Sequence, residues 1–250
     1  MQNQKYAFQM RGTLPTRLDA FSDVVFGFAL TLLVVSLEVP KTFDELIIAM
    51  RGFVPFAICF TLLLFIWYSH YRFFRRYGLH DPFTIILNSV LLFVTLFYVY
   101  PVKFLFSLLT GQTHIKNIET VIRQNEIPIL MAIYGLGYAA VYLLFALLYL
   151  HAYRMRRQLE LTRTELLDTR SMAYESFALM TIGLFSALIA SVSKPQYAGL
   201  SGFIYMLIGP TITVFRSVHG SKRRKLETQL EREAHMAEER SASPVHALSQ

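Results

Sequence analysis

Ser22, Asp23, Trp67, His70 and Asn88 are the side chains best able to do chemistry in an apolar setting in this sequence. Asp23 stands out because it falls inside the run "RLDAFSDVVFGFALTLLVVSLEVP" at 17–40. A carboxylate among apolar residues is costly unless it has a partner or a task. Two tasks are open. It can anchor a helix start, where the dipole favours negative charge, or it can bind a proton or cation. Arg17, one or two turns earlier, is the expected charge partner. His70 can titrate near neutral pH or serve as a hydrogen-bonded packing residue. Trp67 and His70 are three apart and share a helix face; Trp67 also suits an interfacial anchor. With Asn88 these residues form an expected polar cluster of Arg17, Ser22, Asp23, Trp67, His70 and Asn88. Such a network rigidifies a bundle when each member is satisfied.

Other chemistry is not supported. The histidines at 70, 80, 114, 151, 219, 235 and 246 show no metal-ligand spacing. No Ser–His or Cys–His pair shares a face with a third orienting group, so no enzyme activity, metal or cofactor is expected. The single cysteine, Cys59, lies mid-way along an apolar run and reads as a small buried hydrophobe.

The elements that position the cluster follow from composition. Of 250 residues, 54% are hydrophobic and 16% charged, against about 25% charged in soluble domains. The pattern predicts an all-α membrane protein with six spans, roughly 21–38, 53–71, 83–109, 127–150, 172–192 and 198–218. The last two, divided by "SKPQYAG", form a hairpin. Basic residues gather in alternate loops: Arg72, Arg75 and Arg76; Arg154, Arg156, Arg157, Arg163 and Arg170; then Arg216 and 222–225. With Lys5, Arg11 and Arg17 ahead of the first span, this places both termini in the cytoplasm, the first span acting as a retained signal-anchor. The bias accounts for the net charge of +7, so nucleic acid is not expected as a partner. Residues 1–220 form one membrane domain and 221–250 a polar cytoplasmic tail. The tail reads as helical to about Arg240 and disordered beyond, with a basic start that can meet anionic lipid or simply extend span six as a solvated helix. The loop at 110–126 is polar and external, and 151–170 is a helical cytoplasmic extension. No repeat of three spans plus three is visible.

Along the first helix, at about 100° per residue, Val24, Phe28, Thr31, Leu32 and Val35 form one narrow stripe. Ser22 and Asp23 fall on the opposite side, which should meet helices of the same subunit. Gly27 is expected to admit a neighbouring helix. Pro101 reads as a kink, and Lys103 as a snorkelling side chain.

These segments resemble a known family. "RLDAFSD" matches the Arg-x-x-x-Phe-Ser-Asp signature of the transmembrane protein 175 family of lysosomal-type potassium channels, and "VVFGFALTLLVVSLEVP" resembles its first helix. "FIWYSHYRFF" looks like its Trp-x-x-His segment, and Asn88 and Pro101 sit where its third helix has Asn and Pro. The resemblance is specific over about 17–104. It implies a potassium-preferring cation channel in the cell membrane of a prokaryote. Members of this length assemble as homotetramers with the first helices lining a central pore, and longer ones carry two repeats. It implies an apolar constriction in place of a carbonyl filter, at Phe28, Leu32 and Val35 with Thr31 as a polar ring. Arg17, Phe21, Ser22 and Asp23, with Trp67, His70 and Asn88, would hold the helix's cytoplasmic end. Two positions depart from the family, which usually has Ile or Leu at Phe28 and Gly at Val24. Glu38, Asp44 and Glu45 lie near the expected outer mouth, where they can concentrate cations or form an ordinary solvated loop. Partners would be other copies of the chain, lipid and K+. The alternative is a proton-conducting channel or secondary transporter using Asp23 and His70.

Overall fold

The computed structural model describes residues 7–35, 41–51, 53–109 and 123–242. These residues are all-helical: α1 (Arg17–Val35), α2 (Phe43–Arg51), α3 (Phe53–Tyr77), α4 (Pro82–Leu109), α5 (Ile127–Arg154), α6 (Arg163–Val192) and α7 (Ile208–Ala242). Among the described residues, five helices are long and apolar enough to cross a membrane, against six expected. The remaining expected span is α1, of which Arg17–Val35, 19 residues, is described. The expected span continued to 38, and residues 36–40 lie outside the described set.

Local chemistry sets the helix starts. Thr16 and Asp19 cap α1 reciprocally: Asp19 Oδ2 accepts from the Thr16 amide (2.9 Å), and the Asp19 amide donates to Thr16 Oγ1 (3.3 Å). Asp81 caps α4 ahead of Pro82 by accepting from the Thr84 hydroxyl at 2.6 Å. Thr162 and Glu165 form a capping box on α6. Gly78 ends α3 at φ 58°, with its amide on the Phe74 carbonyl.

Two apolar clusters hold the bundle. One joins the C-terminal end of α3 (Phe73, Phe74, Tyr77) to α4, α5 and Ala173 of α6. The other packs Phe26, Ala29 and Leu33 of α1 against Cys59 and Leu63 of α3 and Leu92 and Val102 of α4. α5 and α6 cross at Gly135 and Gly183. A Cβ on Gly135 would lie 2.6 Å from the Gly183 carbonyl oxygen, and one on Gly183 2.7 Å from that of Gly135, so neither position has room for a side chain.

Two details differ from the sequence reading. α2 replaces an expected loop, its Leu46 amide reaching the Thr42 carbonyl. The sixth span is not one α-helix: Pro195–Leu207 is 3₁₀, and α-helix begins only at Ile208. Pro195, Gly199 and Gly202 weaken α-helix there, and the Ser201 hydroxyl bonds the Ala198 carbonyl. α7 then continues without a break past 220 to Ala242. Lys103 Nζ reaches the Leu33 carbonyl of α1 at 3.4 Å. The helix runs on through Pro101.

Candidate functional site

The face of α1 that packs inward is built from Ser22, Phe26, Ala29 and Leu33, all at most 2% exposed. Spacings of three and four put these on one side of a helix, against α3 and α4. The Ser22 hydroxyl donates to the Leu18 carbonyl (2.8 Å) and accepts from Asn88 Nδ2 (2.8 Å). Asn88 Oδ1 in turn accepts from His70 Nε2 at 2.7 Å. The amide orientation that serves Ser22 thus places a proton on Nε2 of the ring, and a neutral imidazole completes the chain. His70 Nδ1 has no hydrogen-bond partner among the described residues. Phe26 and Phe74 pack on the imidazole with ring centroids 5.5 and 4.5 Å away. Ser22 and Asn88 are fully buried and His70 nearly so, so α1, α3 and α4 are pinned at one depth by a polar thread inside an apolar shell.

Asp23, expected on the inward side with Ser22, is instead exposed and stands on the rim of this network, because one residue along a helix turns it about 100° away. Its Oδ1 accepts from Trp67 Nε1 at 2.8 Å, a second α1–α3 tie. Trp67 stacks on Tyr71, centroids 5.7 Å apart.

The outward arc of α1 is different. Ala20, Phe21, Asp23, Val24, Gly27, Phe28 and Thr31 are exposed, with Val24 at 70% and Phe28 at 58%. A Cβ on Gly27 would meet nothing within 4 Å, so no helix of the same protomer approaches it. The Thr31 hydroxyl donates to the Gly27 carbonyl at 2.8 Å, which leaves its oxygen lone pairs facing out. Leu32 is half-buried at the arc's edge. The Val35 side chain, Glu38 and the Glu45 side chain lie outside the described residues; Asp44 is exposed.

The structure thus unites Ser22, Asn88 and His70, and separately Asp23 with Trp67. It does not bring in Arg17, which is exposed and makes no ion pair with Asp23 among the described residues. Six residues along a helix put the two on different sides, and Trp67 takes the carboxylate instead. Phe21 is 57% exposed. No group of three or more His, Cys, Asp or Glu side chains able to hold a metal occurs among the described residues.

Sequence reading missed two ties between distant elements. Arg11 pairs with Glu165 at 2.8 Å, and Asp168 of α6 takes His219 (2.8 Å) and Arg223 (3.2 Å) of α7. The Thr162-x-x-Glu165 spacing was a visible signal for the first, being a capping box. Nothing local marked Asp168.

Fold and site together define a polytopic α-helical membrane protein whose first helix is clamped on one side and open on the other. A sequence profile of the endosomal/lysosomal potassium channel TMEM175 matches residues 17–98. A potassium channel of Marivirga tractuosa is 41% identical over 231 residues, covering 88% of this chain and 93% of the relative. A potassium channel of Chamaesiphon minutus is 30% identical over 97 residues, 36% of this chain and 48% of the relative. The crystal structure of the potassium channel MtTMEM175, as a threonine-to-alanine variant bound to a nanobody–MBP fusion, superposes with a TM-score of 0.76 at 39% identity. It covers 86% of this chain and 97% of that one. The Chamaesiphon minutus TMEM175 homologue shares the fold, with a TM-score of 0.54 at 21% identity over 80% of this chain and 96% of that one. The chain belongs to the TMEM175 family.

Proposed function

We propose that this chain forms a potassium-selective channel in which α1 from four copies lines a central pore, with both termini in the cytoplasm of a prokaryotic cell. The observation that carries the reading is the composition of the open arc of α1. It presents Ala20, Asp23, Gly27 and Thr31 at helical spacing, all exposed in the protomer. Lipid tails gain nothing from small and polar groups and are a poor medium for a carboxylate, whereas small residues suit close helix contact and hydroxyls suit water or ions. One helix supplies one wall, so a pore lined by α1 needs cyclic repetition.

In that arrangement each residue becomes a ring. Phe28 and Leu32, with Val35 beyond them, form apolar rings that exclude water when narrow and admit it when the helices splay or rotate. The Thr31 oxygens, their protons committed to Gly27, face the axis as acceptors and replace part of a cation's hydration shell. The potassium-channel names of the relatives support the choice of ion. Asp23, bonded to Trp67, acts as an anchor of the helix start rather than as a carrier of protons.

The test is ion flux into liposomes holding purified protein, with K+ compared against Na+ and H+. Wild type is expected to pass K+ in preference to Na+, and Leu32→Ala to raise flux or reduce the preference. A folded, oligomeric preparation that passes no K+ across a range of voltage and pH would overturn the reading. Passage of protons alone would favour the titratable-site alternative.

A further inference from the structure

The segment ahead of α1 is docked, and one side chain docks it. Arg11 uses all five of its guanidinium N–H donors. Nε donates to the Leu159 carbonyl (2.7 Å), Nη1 to the Gln9 carbonyl (3.0 Å) and Glu165 Oε1 (3.0 Å), and Nη2 to Glu165 Oε2 (2.8 Å) and the Glu160 carbonyl (3.3 Å). The receiving carboxylate is 2% exposed and is itself the capping residue of α6, accepting from the Thr162 amide at 3.0 Å. The Gln9 amide adds a bond to Glu165 Oε1 at 2.7 Å. On the other side the strap takes the last carbonyls of α3: the Arg11 amide donates to Arg76 (3.3 Å) and the Gly12 amide to Arg75 (3.1 Å). Phe8 sets its edge on Tyr77, centroids 5.5 Å apart, under the Arg76 guanidinium. A Cβ on Gly12 would collide with the Phe74 carbonyl oxygen, so the close approach requires glycine.

Only residues 13–16 separate this strap from α1. Five Cα steps reach about 17 Å at full extension, and Pro15 stiffens the path. A displacement of the strap is therefore passed to the start of α1, four residues before Phe21 and six before Asp23.

We propose that Arg11 and Glu165 are positioning residues for the pore helix: the strap at 8–12 ties the start of α1 to the α5–α6 turn and the end of α3. The claim rests on the reading that α1 lines the pore. It goes further in making the N-terminus of α6 part of what sets that pore.

Trp67 is the sole tryptophan and bonds Asp23 of α1, so its fluorescence reports the position of that helix start. Arg11→Gln removes the hub, and Gly12→Ala levers the strap away while leaving every charge in place. Arg163→Gln, which loses only the exposed pair with Glu233 at 3.3 Å, is the control. Both strap variants are expected to shift Trp67 emission and to change K+ flux in the same direction by about fivefold, the low end of coupling between distinct sites. Helicity and oligomeric state should stay as in wild type, and the control should leave all readouts unchanged. Wild-type spectra and flux in both strap variants, or unchanged flux beside a conducting wild type, would overturn the proposal. If neither variant folds, hydrogen exchange on the wild-type protein decides. The Gln9, Arg11 and Gly12 amides must be protected, and exchange at free-chain rates overturns the docking. A Trp67 shift with no K+ flux in any protein, wild type included, leaves the strap standing and removes the pore reading instead.

Discussion

Asn88 is the residue whose loss the clamp should tolerate least. Its side chain serves Ser22 with one atom and His70 with another, and both partners are buried. Asn88→Leu leaves the His70 ring N–H without a partner and takes a donor from the Ser22 hydroxyl, which keeps its bond to Leu18; an orphaned buried group costs about 1–3 kcal/mol. The expected outcome is a lowered unfolding midpoint in detergent; a midpoint equal to wild type would remove the clamp from this account. Trp67→Phe, by contrast, breaks one bond to an exposed carboxylate. It should cost less stability than Asn88→Leu while freeing Asp23, and the two variants compared side by side separate the thread from its rim.

At the level of helices, α4 carries the clearest pH dependence. Asp81 is partly buried, which raises its carboxyl, but bonds from Thr84 and from the His151 ring outweigh burial and hold it below the ordinary carboxylate value. A carboxyl held low in the folded state contributes stability above its unfolded pKa of about 3.9 and loses it as pH falls through the folded value. Asp81→Asn should therefore lower the melting temperature at neutral pH and flatten its decline below about pH 4. An acid limb as steep as the wild type's would count against the cap. The α5–α6 crossing makes a steric prediction. Gly183→Leu forces a side chain onto the Gly135 carbonyl and should destabilise by about 1–3 kcal/mol or more through overpacking, read as a lower midpoint of denaturant unfolding.

For the assembly, Gly27 separates protomer from oligomer. Its position is open within the protomer, and glycine is about 1 kcal/mol poorer than alanine inside a helix, with leucine close to alanine. Gly27→Leu should leave the protomer at least as stable and yet disrupt association, seen by native mass spectrometry as a shift to smaller species. An unchanged oligomer would mean that the open arc faces lipid. The same arc predicts that Phe28→Cys cross-links between copies on mild oxidation, with Cys59 silent because it is buried.

The membrane class, the apolar helices and the stripe of Val24, Phe28 and Thr31 on α1 were legible from the order of residues, because apolar periodicity and lengths matched to a bilayer are local properties of the chain; that Asp23 parts from Ser22 and joins the exposed arc was not. So was most of the polar cluster, since Ser22, His70 and Asn88 each stand out against apolar neighbours. What stayed hidden depends on groups distant in sequence meeting in space. Arg17 precedes Asp23 by less than two turns and does not pair with it, while Trp67, 44 residues away, does. Arg11 was readable only as one more positive charge before a span, yet it finds Glu165, 154 residues on, at the start of α6. Long polar side chains reach several partners from one backbone position, and helix packing selects among them. That selection, and with it the strap, the α5–α6 glycine contact and the 3₁₀ entry to α7, comes from the folded arrangement of the helices.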